Sequence, residues 1–275
     1  MGNYRVSIKN YLTDGEFSIC REERQYALFL YNVLCAESKE VYSKLPDKLK
    51  DKLKDKLANI LKLCGLEGMT VQKVFYEATF MRDFFERDRR LWYCGTNYNR
   101  LKNVDFSYSR TRTIETQDER KSFNQRLMEY VNEKGHYGYD VINDEYFNQY
   151  MDYHLGSNLN PDDKYSEFFQ EIKYLMNSKP DIAVVCKDAS ENTYLKFIEC
   201  KFESGESKYG NETQTAIQNK IADFICNDLC KEEFNGGGND CSKAAILAKF
   251  TRKSHETNKI HIGDLIELEK YIWKG

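Results

Sequence analysis

Two strand-like segments in the second half of the chain constrain its fold more than any other feature. PDIAVV begins at Pro180, YLKFIECKF ends at Phe202, and KDASENT lies between them. Apolar and β-branched residues bounded by such a polar stretch are typical of strands, and the pair predicts an antiparallel hairpin around a loop centred near Ser190. The sequence therefore predicts a β-sheet in this part of the chain.

The second of these segments carries two charges in its interior. Because side chains alternate between the two faces of a strand, Glu199 and Lys201 point to one face and Cys200 points to the other. Symmetric pairing across the hairpin places Asp181 opposite Glu199, with Lys201 one step along the same face. Two carboxylates and a lysine are thus predicted to lie together.

Two opposed carboxylates repel each other unless a cation lies between them or they share a proton. A divalent metal explains the pair economically, because Mg²⁺ accepts carboxylate oxygens, a backbone carbonyl and water as ligands. We predict that Asp181, Glu199 and the backbone carbonyl of Cys200 bind Mg²⁺, with Mn²⁺ able to substitute. Lys201 would position or help to deprotonate an attacking water, an arrangement that suits phosphodiester hydrolysis.

Pro180-Asp181 followed by Glu199-Cys200-Lys201 resembles the signature of the PD-(D/E)XK nuclease superfamily, which has the restriction-endonuclease-like fold. The resemblance covers about residues 160 to 275. It implies that the aspartate and the glutamate hold the metal, that the lysine serves the nucleophilic water, and that the two strands are adjacent in a central mixed sheet. In several branches the following helix carries a glutamine near the site, and Gln214 and Gln218, four residues apart, are the candidates here.

The residues ahead of Pro180 depart from the usual order of that superfamily, in which a helix with an acidic residue and then a strand precede the PD strand. A helix predicted over about residues 163 to 177 runs almost directly into Pro180 and leaves no room for the strand. Glu167 or Glu171 on this helix would then supply the additional acid, and we favour Glu167.

The alternative assignment places the first helix of the superfamily at residues 117 to 134, with HYGYDVI as the first strand. Residues 144 to 177 would then be an insertion, and Glu119 or Glu129 would be the additional acid.

Hydrophobic periodicity predicts helices over residues 22 to 43, over LPDKLKDKLKDKLANILKLCGL and from Thr70 onwards. From residue 180 the order is strand, strand, helix, strand, and then a last strand with a C-terminal helix. We therefore predict an α/β fold with a central mixed sheet flanked by helices. Residues 1–157 would form a mainly α-helical region with a DNA-recognition part, and residues 158–275 the nuclease core.

A net charge of −3 argues against a protein that coats nucleic acid through bulk charge. Between Arg82 and Arg126, however, nine arginines and two lysines stand against seven carboxylates, a local net charge of +4. Arginine makes bidentate contacts with base edges and phosphates, so Arg100, Arg110 and Arg112 are candidate DNA contacts. The alternative is structural, with arginines of this segment pairing with nearby carboxylates.

The chain has no apolar run long enough to cross a bilayer and no N-terminal stretch like a secretory signal. Its nine cysteines lack the spacing of a disulfide framework. These features predict a cytoplasmic protein with no membrane association.

The residues and the resemblance together predict a Mg²⁺-dependent endonuclease acting on double-stranded DNA. The predicted class is a sequence-specific type II restriction enzyme of a restriction-modification system, working as a homodimer on a palindromic site. The alternatives are a repair, junction-resolving or loosely specific defence nuclease, a non-catalytic nucleic-acid-binding protein with a vestigial site, and a purely structural charge cluster.

Overall fold

The computed structural model describes residues 23–84, 123–139, 165–202, 208–230, 234, 243–253 and 255–272. The chain divides into two compact units. The first comprises Met1–Ala78, Pro180–Ala222 and Glu232–Gly275, and the second comprises Thr79–Lys179 and Asp223–Lys231. The predicted DNA contacts Arg100, Arg110 and Arg112, the candidate acid Glu119 and the predicted boundary at residue 157 lie outside the described residues.

The strands found among the described residues belong to the first unit. In chain order they are β1 (Thr70–Tyr76), β2 (Ile182–Lys187), β3 (Thr193–Phe202), β4 (Lys208–Tyr209), β5 (Glu212–Thr213), β6 (Ala245–Thr251) and β7 (Ile260–His261). Five of them form a mixed sheet in the order β1-β2-β3-β6-β7, while β4 and β5 pair separately. The strands β1, β2 and β3 are antiparallel neighbours, whereas β6 runs parallel to β3 and β7 parallel to β6. The predicted α/β class with a mixed sheet is therefore confirmed.

The hairpin of β2 and β3 has the predicted register. Ile182 pairs with Ile198 and Lys187 pairs with Thr193, so the strands are symmetric about the turn between them. Asp188 closes this turn, because its Oδ1 accepts the backbone N–H groups of Ser190 and Asn192 at 2.8 and 3.0 Å. The same register, extended by one residue, sets residue 181 opposite residue 199.

The prediction of a helix from Thr70 is wrong, because Thr70–Tyr76 is a strand. TVQKVFY is rich in β-branched and aromatic residues, which favour a strand, and its backbone groups pair with β2 from Thr70 opposite Lys187 to Tyr76 opposite Ile182. The antiparallel neighbour of β2 on this side of the sheet thus comes from much earlier in the chain. The described residues of HYGYDVI, 136–139, form no strand, and the remainder lies outside the described part.

The helices of the described residues agree closely with the remaining predictions. They are α1 (Glu23–Ser38), α2 (Asp47–Leu63), α3 (Phe123–Lys134), α4 (Ser166–Asn177), α5 (Gln214–Asp223) and α6 (Ile262–Ile272). A 3-10 turn at Tyr42–Lys44 follows α1, residues 80–84 are helical, and a π-helix at Phe224–Leu229 continues α5. None of the helices in the described part of the chain is long and apolar enough to cross a membrane.

One face of the large sheet forms the core of the first unit. Apolar side chains of this face are buried with residues of α1, α2 and α6, among them Leu30, Leu53 and Leu265. The ring of Tyr26 on α1 lies 5.1 Å from that of Phe202 on β3, measured between centroids. Cys200 points into this core and burial raises the pKa of its thiol, so its side chain is inert packing. Glu199 and Lys201 therefore lie on the opposite face, as predicted from the alternation.

The second unit has its own apolar contacts. Leu127 and Val131 of α3 and Phe168 and Ile172 of α4 are buried. The Tyr130 hydroxyl donates a hydrogen bond to Oδ2 of Asp223 at 2.9 Å, which joins α3 to the last residue of α5 within this unit.

Candidate active site

The structure brings the three predicted catalytic residues together. Asp181 immediately precedes β2, and Glu199 and Lys201 lie two residues apart on β3. The backbone N–H of Cys200 donates to Oδ2 of Asp181 at 2.8 Å, and Nζ of Lys201 lies 2.9 Å from Oε1 of Glu199. The end of one strand and the interior of its neighbour thus position two carboxylates and an ammonium group.

Glu199 and Lys201 form a buried ion pair. Glu199 is 2% exposed and Lys201 is 8% exposed, values that are rare for charged residues. Removing a charge from water costs free energy that is recovered only when other groups bind it. A strand on the surface of an ordinary sheet would leave such a pair in water, so the burial favours a functional role over a solvent-facing cross-strand pair.

Gln218 on α5 is a second side chain that contacts the Glu199 carboxylate. Its Nε2 donates to Oε2 of Glu199 at 2.9 Å, and the side chain is fully buried. Its Oε1 is buried without a hydrogen-bond partner among the described residues, an arrangement that is costly in a folded protein. Gln214, one helical turn earlier, is also buried. Of the two predicted glutamines, Gln218 is therefore the one with a hydrogen bond to Glu199.

The environment of Glu199 disfavours its charged form. Burial raises the pKa of Glu199 most, and the nearby Asp181 carboxylate raises that pKa further. Hydrogen bonds from Lys201 and Gln218 to Glu199 lower its pKa and offset part of this effect. The predicted repulsion between the two carboxylates is thus present, and a cation beside them would stabilise the ionised pair.

The donor set fits a hard divalent cation. Oε1 and Oε2 of Glu199 each accept one hydrogen bond, and each oxygen keeps a further lone pair. Among the described residues, no group of three or more His, Cys, Asp or Glu side chains is arranged to hold a metal ion. The predicted protein ligands Asp181, Glu199 and the backbone carbonyl of Cys200 stay a prediction, with water as the expected remaining ligands of Mg²⁺.

The candidates for an additional acid lie in the second unit, whereas Asp181 and Glu199 belong to the first. Glu167 is exposed on α4, and Glu171 on the same helix accepts a hydrogen bond from the Tyr137 hydroxyl at 3.1 Å. Glu129 lies on α3. Their role at the site stays a prediction.

Sequence reasoning missed Glu77, which follows β1 directly. Its backbone N–H donates to the carbonyl oxygen of Asp181 at 2.8 Å, and this hydrogen bond helps to fix the backbone of Asp181. Glu77 has a φ of 47°, a left-handed conformation that is uncommon for this residue type. Its Oε1 lies 3.9 Å from Nε of Arg24. The β-branched and aromatic composition of TVQKVFY is the sequence signal that would have identified this strand and, with it, Glu77.

The arrangement combines a buried carboxylate, a second carboxylate just ahead of the neighbouring strand, and a lysine in direct contact with the first carboxylate. Such a set can bind a divalent cation and orient a water molecule for attack on an ester of phosphoric acid.

Comparisons with protein families, with curated proteins and with solved structures give no match for this chain.

Proposed function

We propose that the protein is a Mg²⁺-dependent endonuclease that hydrolyses phosphodiester bonds of double-stranded DNA, with Asp181, Glu199 and Lys201 as catalytic residues. The observation that carries this proposal is the buried pair of Glu199 and Lys201, 2.9 Å apart, beside Asp181, which immediately precedes the neighbouring strand β2. A structural ion pair has no need of a second carboxylate that raises the pKa of the first.

Asp181 and Glu199 would hold Mg²⁺, with the carbonyl of Cys200 as the third protein ligand. When bound, Mg²⁺ supplies compensation of the negative charge on the scissile phosphate and a lowered pKa for the attacking water. Asp181 is oriented for this role by the N–H of Cys200, and Glu199 is oriented by Gln218. We regard Gln218 as a positioning residue, because it acts on the substrate through Glu199.

Lys201 would bind the attacking water or a phosphate oxygen. Its ammonium group has three donors, so it can remain bound to Oε1 of Glu199 while it donates to a further oxygen. During hydrolysis the water oxygen forms a bond to phosphorus and loses a proton to solvent, an ester phosphorus–oxygen bond breaks, and the leaving oxygen takes up a proton from solvent. The contribution of Lys201 is to hold the water in line and to stabilise developing charge.

The topology supports a restriction-endonuclease-like catalytic core. The resemblance to the PD-(D/E)XK superfamily implies a mixed sheet in which the two site strands are adjacent and a further strand comes earlier in the chain. The antiparallel order of β1, β2 and β3, with β6 parallel to β3, is what supports this part of the proposal. We therefore propose a sequence-specific type II restriction enzyme that acts as a homodimer, with Arg100, Arg110 and Arg112 as DNA contacts.

Incubation of the protein with plasmid DNA and Mg²⁺ tests the proposal, with Asp181→Ala and Lys201→Ala as variants. Discrete fragments that both variants fail to produce would support the restriction enzyme. A smear that depends on the same residues would indicate a repair enzyme or a loosely specific defence nuclease. Absence of cleavage of DNA and RNA with every divalent metal tried would contradict the proposal.

A further inference from the structure

The strand next to β3 brings a second lysine to the face that carries the candidate site. The strands β3 and β6 are parallel, with Glu199 in register with Leu247 and Lys201 in register with Lys249. Side chains in register on neighbouring strands point to the same face, with Cβ atoms about 5 Å apart. Lys249 therefore lies beside Lys201, on the side of the sheet opposite the apolar core.

Lys249 differs from Lys201 in its surroundings. Lys201 is buried and bound to Glu199, whereas Lys249 is exposed. Within the described residues, the side chain of Lys249 takes part in no hydrogen bond and no ion pair. Lys187 on β2, by comparison, has its Nζ 2.7 Å from Oε2 of Glu191.

Two lysines side by side on neighbouring strands repel each other, and this costs free energy unless an anion compensates them. Glu199 compensates Lys201 but is buried with it. The exposed charge of Lys249 is left for a ligand in solution. The exposed edge of the site thus carries positive charge next to the residues proposed to act on a phosphate.

Arg252, one residue beyond β6, is also exposed, but its side chain has partners on the apolar side of the sheet. Its guanidinium lies 5.3 Å from the centroid of the Phe202 ring, and its Nη2 is 3.3 Å from the Tyr26 hydroxyl. These contacts tie Arg252 to the apolar side of the sheet. The alternation along β6 therefore puts Arg252, which is exposed but contacts Phe202 and Tyr26, on the face opposite Lys249.

We propose that Lys249 binds the backbone phosphate next to the scissile phosphate on the same DNA strand, and so fixes the path of that strand across the site. This inference rests on the proposed nuclease function. An ammonium on a flexible four-carbon stem binds phosphate as a point charge without reading the base, so the contact contributes affinity and positioning on any sequence.

Binding of a fluorescent DNA duplex in EDTA, where no metal is present to support cleavage, tests the inference for Lys249→Gln, Lys249→Arg and Lys54→Gln. Lys54 is exposed on α2, on the other side of the sheet, and serves as the matched control. Lys249→Gln should bind about three- to tenfold more weakly, and its slope of log K against log salt should fall by about one. Lys249→Arg should retain the affinity and slope of the wild type, as should Lys54→Gln.

Cleavage kinetics provide the second readout. Lys249→Gln should raise KM several-fold and leave kcat within about twofold, because a contact to a neighbouring phosphate acts mainly in binding. Equal affinity and equal salt slope for Lys249→Gln and Lys54→Gln would overturn the inference, and cleavage by the wild type would still support the nuclease. If the wild type binds DNA but never cuts it, weaker DNA binding by Lys249→Gln would support the phosphate contact, while the nuclease proposal would be wrong. A wild type that neither binds nor cuts DNA overturns both.

Discussion

Oδ2 of Asp181 accepts the backbone N–H of Cys200 at 2.8 Å, while the charge of Asp181 raises the pKa of the buried Glu199. Asp181→Asn keeps an acceptor for that N–H and removes the repulsion between the carboxylates. Without metal, the free energy of unfolding should therefore stay the same or rise by up to about 1 kcal/mol. Mg²⁺ should stabilise the wild type, by about 2.7 kcal/mol at a hundredfold excess over Kd, and should not stabilise Asp181→Asn.

Denaturant unfolding in EDTA and in Mg²⁺ measures both effects. Asp51→Asn is the control, because Asp51 is exposed on α2 and carries the same change of charge. Equal stabilisation of all three proteins by Mg²⁺ would show that the ion binds elsewhere.

The buried pair of Lys201 and Glu199 should show strong coupling. Lys201→Met leaves the Glu199 carboxylate buried without its ammonium partner, and we expect a loss of roughly 3 kcal/mol in the free energy of unfolding. The double variant Lys201→Met/Glu199→Gln should recover much of that loss. A double-mutant cycle by urea denaturation gives the coupling energy.

The exposed pair of Lys187 and Glu191 on the same hairpin is the matched control for that cycle. Lys187→Met should change stability by less than about 1 kcal/mol. Additive effects of the Lys201 and Glu199 substitutions would be inconsistent with the direct contact.

The pairing of α2 with α6 should make stability depend on pH in the acid range. Hydrogen bonds from Lys52 and Lys56 lower the pKa of Glu267 to about 2, against roughly 4.3 in an unfolded chain. Because the folded pKa is the lower one, Glu267 contributes stability above about pH 4.3, and this contribution is lost as the pH falls towards 2. Glu267→Gln should therefore cost roughly 1 kcal/mol at neutral pH and little near pH 2.

Urea denaturation from pH 7 to pH 2 checks this dependence. Glu67→Gln, a change at an exposed glutamate of the first unit, is the control and should leave the pH profile of the wild type unchanged. A Glu267→Gln deficit that persists undiminished at pH 2 would contradict the assigned ion pairs.

Gly65 after α2 should tolerate alanine less well than Gly68 does. Both glycines have positive φ, 67° and 72°, so either alanine adopts a left-handed conformation at a cost of roughly 1 to 2 kcal/mol. A Cβ at Gly65 would also overlap the side chain of Ile246, whereas a Cβ at Gly68 meets no atom within 4 Å. Thermal unfolding should show a loss for Gly65→Ala that exceeds that of Gly68→Ala by about 1 kcal/mol. Equal losses would indicate that Ile246 moves without cost.

The register of the β2–β3 hairpin, which when extended by one residue sets Asp181 opposite Glu199, could be predicted from the sequence, because a period of two and a short polar loop fix the register of a hairpin. The strand β1 could not be predicted from the sequence in this way. Val71, Val74 and Phe75 also satisfy the helical spacing, and Val71 is the one fully buried residue of this edge strand, so its alternation is weak. Its partner β2 comes about a hundred residues later, beyond any local pattern.

The neighbours of Glu199 show the same limit. Four-residue spacing put Gln214 and Gln218 on one face of a helix, but which of them bonds to Glu199 depends on where α5 packs on the sheet. The position of Lys249 next to Lys201 depends on the parallel register of β6 with β3, and β4, β5 and α5 lie between these two strands in the chain. Packing and register between distant segments are set by the whole fold, not by the residues nearby in sequence.

The rate of plasmid cleavage in saturating Mg²⁺ by wild type, Asp181→Asn and Asp51→Asn tests most directly whether Asp181, Glu199 and Lys201 form a metal-dependent phosphodiester-cleaving site. Asp181→Asn retains the hydrogen-bond acceptor of the folded protein, so a loss of activity reports on charge at the site and not on folding. We predict cleavage by the wild type and by Asp51→Asn, and a rate at least about a hundredfold lower for Asp181→Asn, on the scale of removing one charge-stabilising group from an active site. Cleavage by Asp181→Asn at the wild-type rate, or no cleavage by the wild type with any divalent metal, would contradict the proposal that these residues form a metal-dependent cleavage site.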